Sequence, residues 1–162
     1  MSATKSTLFT LGYEGLDLPS FIALLQEAGV KTVVDVRELP LSRKKGYSKT
    51  AFSAALSEHG MAYLHAPQLG CPKPIRDQYR TDRDWSAYTK AFLAHLKTRR
   101  AEVLELVKLS RATAACLVCF EADFGMCHRT YVARAACRQG GPSVVHLTAR
   151  TSFPDLGFQA AA

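Results

Sequence analysis

No apolar stretch in this sequence approaches the ~20 residues that a membrane-crossing helix needs. Acidic residues are scarce: 14 Asp+Glu stand against 21 Lys+Arg, a formal net charge of +7. That balance favours acidic partners such as nucleic acid or phosphorylated metabolites. The opening, MSATKSTLFT, contains one lysine and no apolar core, so it does not read as a secretory leader and a cytoplasmic protein is expected. The cysteines are odd in number, five in all, which argues against a disulfide framework. Free thiols, metal ligation and plain burial remain, and reduced, unpaired cysteines are expected. What is present is the content of a globular domain, 48% hydrophobic and 22% charged in 162 residues, enough to bury one core without staples.

Short β-branched runs alternate with helical patterns. Thr7–Leu11 reads as a first strand, followed by a helix that Asp17 and Pro19 open and Gly29 closes. Thr32–Val36 reads as a strand buried on both faces. Ser48 is placed as the N-cap of a second helix ending at Gly60, and Met61–His65 is a third strand. Residues 66–80 read as a long connection. Thr81 and Asp84 suggest a capping box before a helical stretch broken near Thr98–Arg100. Ala114–Phe120 is the most apolar strand, Cys127–Arg138 a helix, and Ser143–Leu147 the last strand. The expected fold is a single α/β domain over 1–150, a mainly parallel five-stranded sheet with helices on both faces, and a patternless tail over 151–162.

In such sheets ligands bind outside the carboxyl ends of the strands. The residues there are Gly12, Tyr13 and Glu14; Arg37, Ser42 and Arg43; His65; and Glu121, Asp123, Cys127, His128 and Arg129. The segment CFEADFGMCHR enters a helix N-terminus, whose free N–H groups and dipole suit an anion and favour a Cys127 thiolate. Glu121 is the nearest carboxylate for Arg37 or Arg129, and such pairing would lower its pKa. Glu121, Cys127 and His128 are the catalytic candidates. Tyr13, Arg37, Ser42, Arg43, His65 and Arg129 are the ligand-binding ones. The loop ELPLSRKKGYSK sets Arg43, Lys44, Lys45 and Lys49 around Tyr47, a combination suited to backbone neutralisation and base stacking. A solvated basic loop is the plainer alternative. Arg76, Arg80 and Arg83 add charge in the long connection, while Trp85, Tyr88 and Phe92 share a helical spacing that suits a core. Cys119, Glu121, Cys127 and His128 are ligand types that zinc accepts. However, Cys116 and Cys119 point to opposite faces of a strand, and burial as small hydrophobes is the default. No metal and no cofactor are assigned.

LGYEG, DVRELPLSRKKGYS, YLHAPQLG and LVCFEADFGMCHR, in that order from about Leu8 to Arg138, resemble the domain-of-unknown-function 488 family. The most specific parts are Asp35, Val36 and Arg37 with Pro40, Ser42 and Arg43, and Glu121 with Cys127, His128 and Arg129. The resemblance implies an α/β domain of prokaryotic cytoplasm and supplies no reaction. Asp35, Val36 and Arg37 after a strand also resemble the opening of rhodanese-like domains. Cysteine phosphatases are similar only in outline, because neither Cys119 nor Cys127 stands at the Cys-x5-Arg spacing from Arg129.

The expected function is recognition of an anion, either nucleic acid or a phosphorylated nucleotide-like ligand. The alternatives are a thiol-dependent enzyme with Cys127 as nucleophile and a non-catalytic regulatory binding module. No membrane partner is expected, and nothing in the sequence sets the oligomeric state.

Overall fold

The computed structural model describes residues 6–156. Asp17 opens the first helix, α1 (Leu18–Glu27), by accepting a hydrogen bond from the Ser20 amide at 2.8 Å, with Pro19 in the first turn; there its missing N–H costs nothing. α1 joins strands β1 (Thr7–Gly12) and β2 (Thr32–Asp35). The helix α2 (Lys49–Glu58) leads to β3 (Ala62–His65). Ser48 holds the N-cap position of α2 but caps no amide; its hydroxyl bonds the backbone of Ser42 instead.

The connection after β3 differs from expectation. It contains a short 3-10 turn, Pro67–Leu69, and a ten-residue helix, α3 (Lys73–Asp82). This helix buries no residue completely, and only Ile75 and Tyr79 pack against the core, an apolar stripe too short to be read as a helix from sequence. Its prolines stand at the N-terminal end, where they are tolerated. Asp84 is itself the N-cap of α4 (Trp85–Lys97), accepting from the Ala87 amide, rather than the third residue of a capping box. Then come α5 (Arg100–Ala112), β4 (Ala115–Cys119), a 3-10 turn (Phe124–Met126), α6 (His128–Arg138) and β5 (Ser143–Leu147). The helical break expected near Thr98–Arg100 separates α4 from α5.

The sheet order is β3-β2-β4-β1-β5-β6. The first five strands are parallel, and β6 (Ser152–Pro154) runs antiparallel to β5. This sixth strand corrects the expectation of a patternless tail after residue 150. Three exposed residues ending in proline carry no period, although proline is acceptable at a sheet edge. Residues 157–162 of that tail lie outside the described residues.

Side chains alternate across β4. Cys116 and Val118 pack with Phe21, Leu25, Phe52 and Leu56 of α1 and α2. Ala115, Leu117 and Cys119 face Phe92, Val103, Leu106, Val132 and Ala133 of α4, α5 and α6. Val33, Val34, Leu117 and Val118 are at most 1% exposed, as expected for strands covered on both faces. The chain leaves β1 and β2 toward the β3 edge, whereas it leaves β4 toward β5. Connections that part in this way open a crevice at the carboxyl ends of the strands, beside β4. Among the described residues no helix is long and apolar enough to cross a membrane.

A buried polar network ties down the far edge. The imidazole of His146 bonds Thr10 Oγ1 through Nδ1 (2.7 Å) and Asp155 through Nε2 (3.1 Å), and Arg134 donates two 2.9 Å bonds to the same carboxylate. Burial holds the His146 pKa below its usual value despite Asp155, and the Arg134 and His146 bonds outweigh burial to hold Asp155 down. Both groups are depressed on folding, so each contributes stability above its unfolded pKa that is lost as acid protonates the folded form. The melting temperature should fall from about pH 6.5 downward through His146, and again below about pH 4 through Asp155. In a melting series, His146→Gln should flatten the first descent and keep the second. Parallel curves for variant and parent would remove His146 from this role.

Candidate functional site

Gly12, the last residue of β1, lies against the backbone of Glu121; a Cβ built on it would stand 1.8 Å from the Glu121 carbonyl oxygen. The ladder runs on past the strand ends, with Tyr13 N donating to Cys119 O at 3.1 Å and Glu14 N to Phe120 O at 2.8 Å. Glu14 in turn accepts from the Ala122 amide at 2.9 Å. The loop after β4 is thereby held beside the loop after β1.

Arg37 follows β2 and is 6% exposed. Its Nε and Nη2 donate to the two oxygens of the fully buried Asp35 at 2.8 and 2.7 Å, and its Nη1 to the Tyr13 hydroxyl at 3.1 Å. Tyr63 donates to Asp35 at 2.6 Å. Burial alone would lower the Arg37 pKa, but the Asp35 carboxylate more than offsets it and keeps the guanidinium charged. Arg37 therefore pairs with Asp35, not with Glu121. His65 Nε2 lies 2.8 Å from the Arg37 carbonyl and so supports this corner.

Cys127 occupies the N-cap position of α6. Its Sγ lies 4.0 Å and that of Cys119 3.8 Å from His128 Nδ1. The other imidazole nitrogen, Nε2, is 2.7 Å from the Val36 carbonyl. A carbonyl can only accept, so Nε2 carries the proton. Glu121 Oε2 reaches to 3.6 Å from Cys119 Sγ. Burial raises the Cys127 pKa, but the Cys119 thiol, Arg129 and His128 together reverse this and hold it well below the usual range. Cys119 is pushed up by its bond to Cys127 and by burial. Glu121 is exposed as a residue, yet desolvation of its carboxyl and the Cys127 charge raise its pKa. This is the reverse of the lowering expected from an arginine pair, because neither Arg37 nor Arg129 bonds the carboxylate.

Arg129 is fully buried. Its Nη1 donates to the Glu121 carbonyl, and its Nε and Nη2 have no hydrogen-bond partner among the described residues. Its charge acts on both Cys119 and Cys127. It does not line the cavity of about 550 Å³ that opens at this edge. Arg37, Cys119, Cys127 and His128 form the floor of that cavity, and Tyr13, Ser42 and Glu121 also line it. One wall carries Arg76, Arg80 and Arg83 with Tyr79 and Trp85. Trp85 is thus only partly core, stacked on Tyr88 at 4.5 Å and half-buried. The rim bears Leu39, Leu41, Phe120 and Met126, all exposed.

The basic loop stands apart from the floor. Arg43, Lys45 and Lys49 are exposed, and none of them, nor Lys44, lines the cavity. Tyr47 is fully buried, stacked on Tyr13 at 4.3 Å and donating to the Leu16 carbonyl. It therefore presents no face to a base, which corrects the expectation of stacking there. Asp35 and Phe120 were not among the expected site residues, and Cys119, a possible metal ligand by type, was expected to be a buried small hydrophobe. The alternation along β4 carries a signal for Cys119, which shares a face with Leu117 at the strand end.

A thiol of lowered pKa beside an imidazole and a carboxyl is chemically competent as a nucleophile and equally as a soft ligand. Fold and site together define an α/β domain with a cysteine–histidine floor at the carboxyl edge of its sheet. The family model described as Domain of unknown function DUF488 matches residues 17–136, and the chain belongs to that family. No curated protein and no solved structure matches the chain.

Proposed function

We propose that the protein recognises a phosphorylated, base-bearing ligand, a nucleotide or a segment of single-stranded nucleic acid, in the cavity beside β4. The observation that carries this reading is the cavity wall, where three arginines of the α3 segment face an exposed apolar rim. Ligand sites join apolar surface to a few convergent polar groups in this way. Arg37 is committed to Asp35 and Tyr13, and Arg76 bonds Glu38 at 3.1 Å. Arg80 has only a long contact to Asp77 at 3.7 Å, and Arg83 lies over the Tyr79 ring. These last two retain donors for phosphate. Phe120, 40% exposed and stacked on Tyr13, offers its ring to a base.

Binding of a short fluorescent single-stranded oligonucleotide should weaken with salt. Arg80→Gln with Arg83→Gln should reduce the log–log salt slope by roughly 1.4, about 0.7 for each phosphate no longer neutralised. Arg43→Ala, Lys44→Ala and Lys45→Ala together should weaken the oligonucleotide without altering sequence preference, and should leave a mononucleotide unaffected. An Arg80/Arg83 variant that binds both probes as the parent does would end this reading.

A further inference from the structure

We infer that Cys119, Cys127 and His128 bind a single zinc-class divalent ion, with a fourth coordination position open to the cavity. The two Sγ atoms and Nδ1 all lie within 4.8 Å of one another, and all three residues are buried. Tetrahedral zinc, with bonds of about 2.3 Å to sulfur and 2.0–2.1 Å to nitrogen, sets sulfur and nitrogen ligands roughly 3.5–3.6 Å apart. The observed separations of 3.8 and 4.0 Å therefore need to close by only a few tenths of an ångström. Glu121 Oε2, 3.6 Å from Cys119 Sγ, stands beside this set without belonging to it.

The second observation is the orientation of the imidazole. His128 donates Nε2–H to the Val36 carbonyl at 2.7 Å, which turns the Nδ1 lone pair toward the two sulfurs. A ring held by its far nitrogen on a backbone carbonyl is how proteins fix a metal-ligating histidine. The strand geometry that separates Cys116 from Cys119 disposes only of Cys116, which faces α1 and α2; Cys119 and Cys127 share the opposite core.

Charge accounts for the buried arginine. Arg129 is fully buried without a carboxylate partner, a costly state unless a nearby anion compensates it. Sulfur and imidazole donors select zinc over magnesium or calcium, and two cysteines, one histidine and an open position make a catalytic rather than a structural set. The use of that open position, to polarise an oxygen of the bound ligand, rests on the cavity reading above. Metal binding itself is read without any ligand, so the two can fail separately.

The test is titration of the metal-free full-length chain with Co(II) under a non-thiol reductant. A tetrahedral Co(II) spectrum with thiolate charge-transfer bands, saturating at one ion per chain and displaced by Zn(II), is expected. Cys119→Ser and Cys127→Ser should each lower the charge-transfer intensity by about half and the affinity at least tenfold, the range seen even for outer-sphere changes; Cys116→Ser should leave both unchanged. In the parent protein, which needs no variant to fold, Zn(II) should protect Cys119 and Cys127 from alkylation while Cys137 reacts as before. Absence of the tetrahedral spectrum, or one that survives either serine substitution unchanged, overturns the inference. So does equal alkylation of Cys119 and Cys127 with and without Zn(II).

Discussion

Asp35→Asn is expected to lower the free energy of unfolding by about 3–5 kcal/mol, the usual cost of stranding one member of a buried ion pair. Asp35 is fully buried and Arg37 nearly so, joined by two short bonds. Asparagine keeps the shape, but it removes the charge that offsets the guanidinium and leaves one position as a donor facing donors. Tyr63, which donates to the same carboxylate, loses part of its acceptor as well. Urea unfolding should show the midpoint falling with an unchanged slope. Asp35→Leu with Arg37→Met should cost less than the single substitution, because removing both charges avoids the stranded one. A single-variant loss below about 1 kcal/mol would show that the pair is not the anchor of this corner.

Gly12→Ala should be nearly as damaging, by about 3 kcal/mol or more, at the upper end for overpacking. The added Cβ would meet the Glu121 carbonyl oxygen at 1.8 Å and its carbonyl carbon at 2.5 Å. Both are backbone atoms, the carbonyl held by Arg129 and its neighbours Phe120 and Ala122 bonded to Glu14, so neither can swing aside as a side-chain tip would. Gly29→Ala is the matched control. There φ is +77° with nothing within 4 Å, and the cost should be only the roughly 1–2 kcal/mol of a left-handed alanine. Thermal unfolding of both variants checks the order. Equal losses would mean that the approach of β1 to Glu121 is loose. The same variant should displace Glu121 and thereby lower the affinity of the adjacent thiols for Co(II).

The central strands were legible because they are short, apolar and β-branched: Val33, Val34, Leu117 and Val118 could sit nowhere but inside. The strand-end rule then led to Arg37, Cys127 and His128, since topology alone carries those residues to one edge. Side-chain partners were less accessible. Asp35 belongs to the strand itself, and its bond to Arg37 two residues later depends on the turn of the chain after β2. α3 reads as a connection in sequence because its ten residues are mostly polar and only Ile75 and Tyr79 pack inward. Tyr47 stands among lysines in sequence yet turns inward onto Tyr13 and Phe21, a choice made by the tertiary core rather than by its neighbours.

The bonds from Tyr13 and Glu14 to the β4 loop also govern how the molecule opens. Those amides extend the pairing of the two innermost strands, so their protons are released to solvent by the same cooperative event that separates β1 from β4. The loops that frame the floor of the cavity are therefore expected to melt with the central strands. A population of chains under thermal stress is then expected to divide into those that are whole, site included, and those that have unfolded.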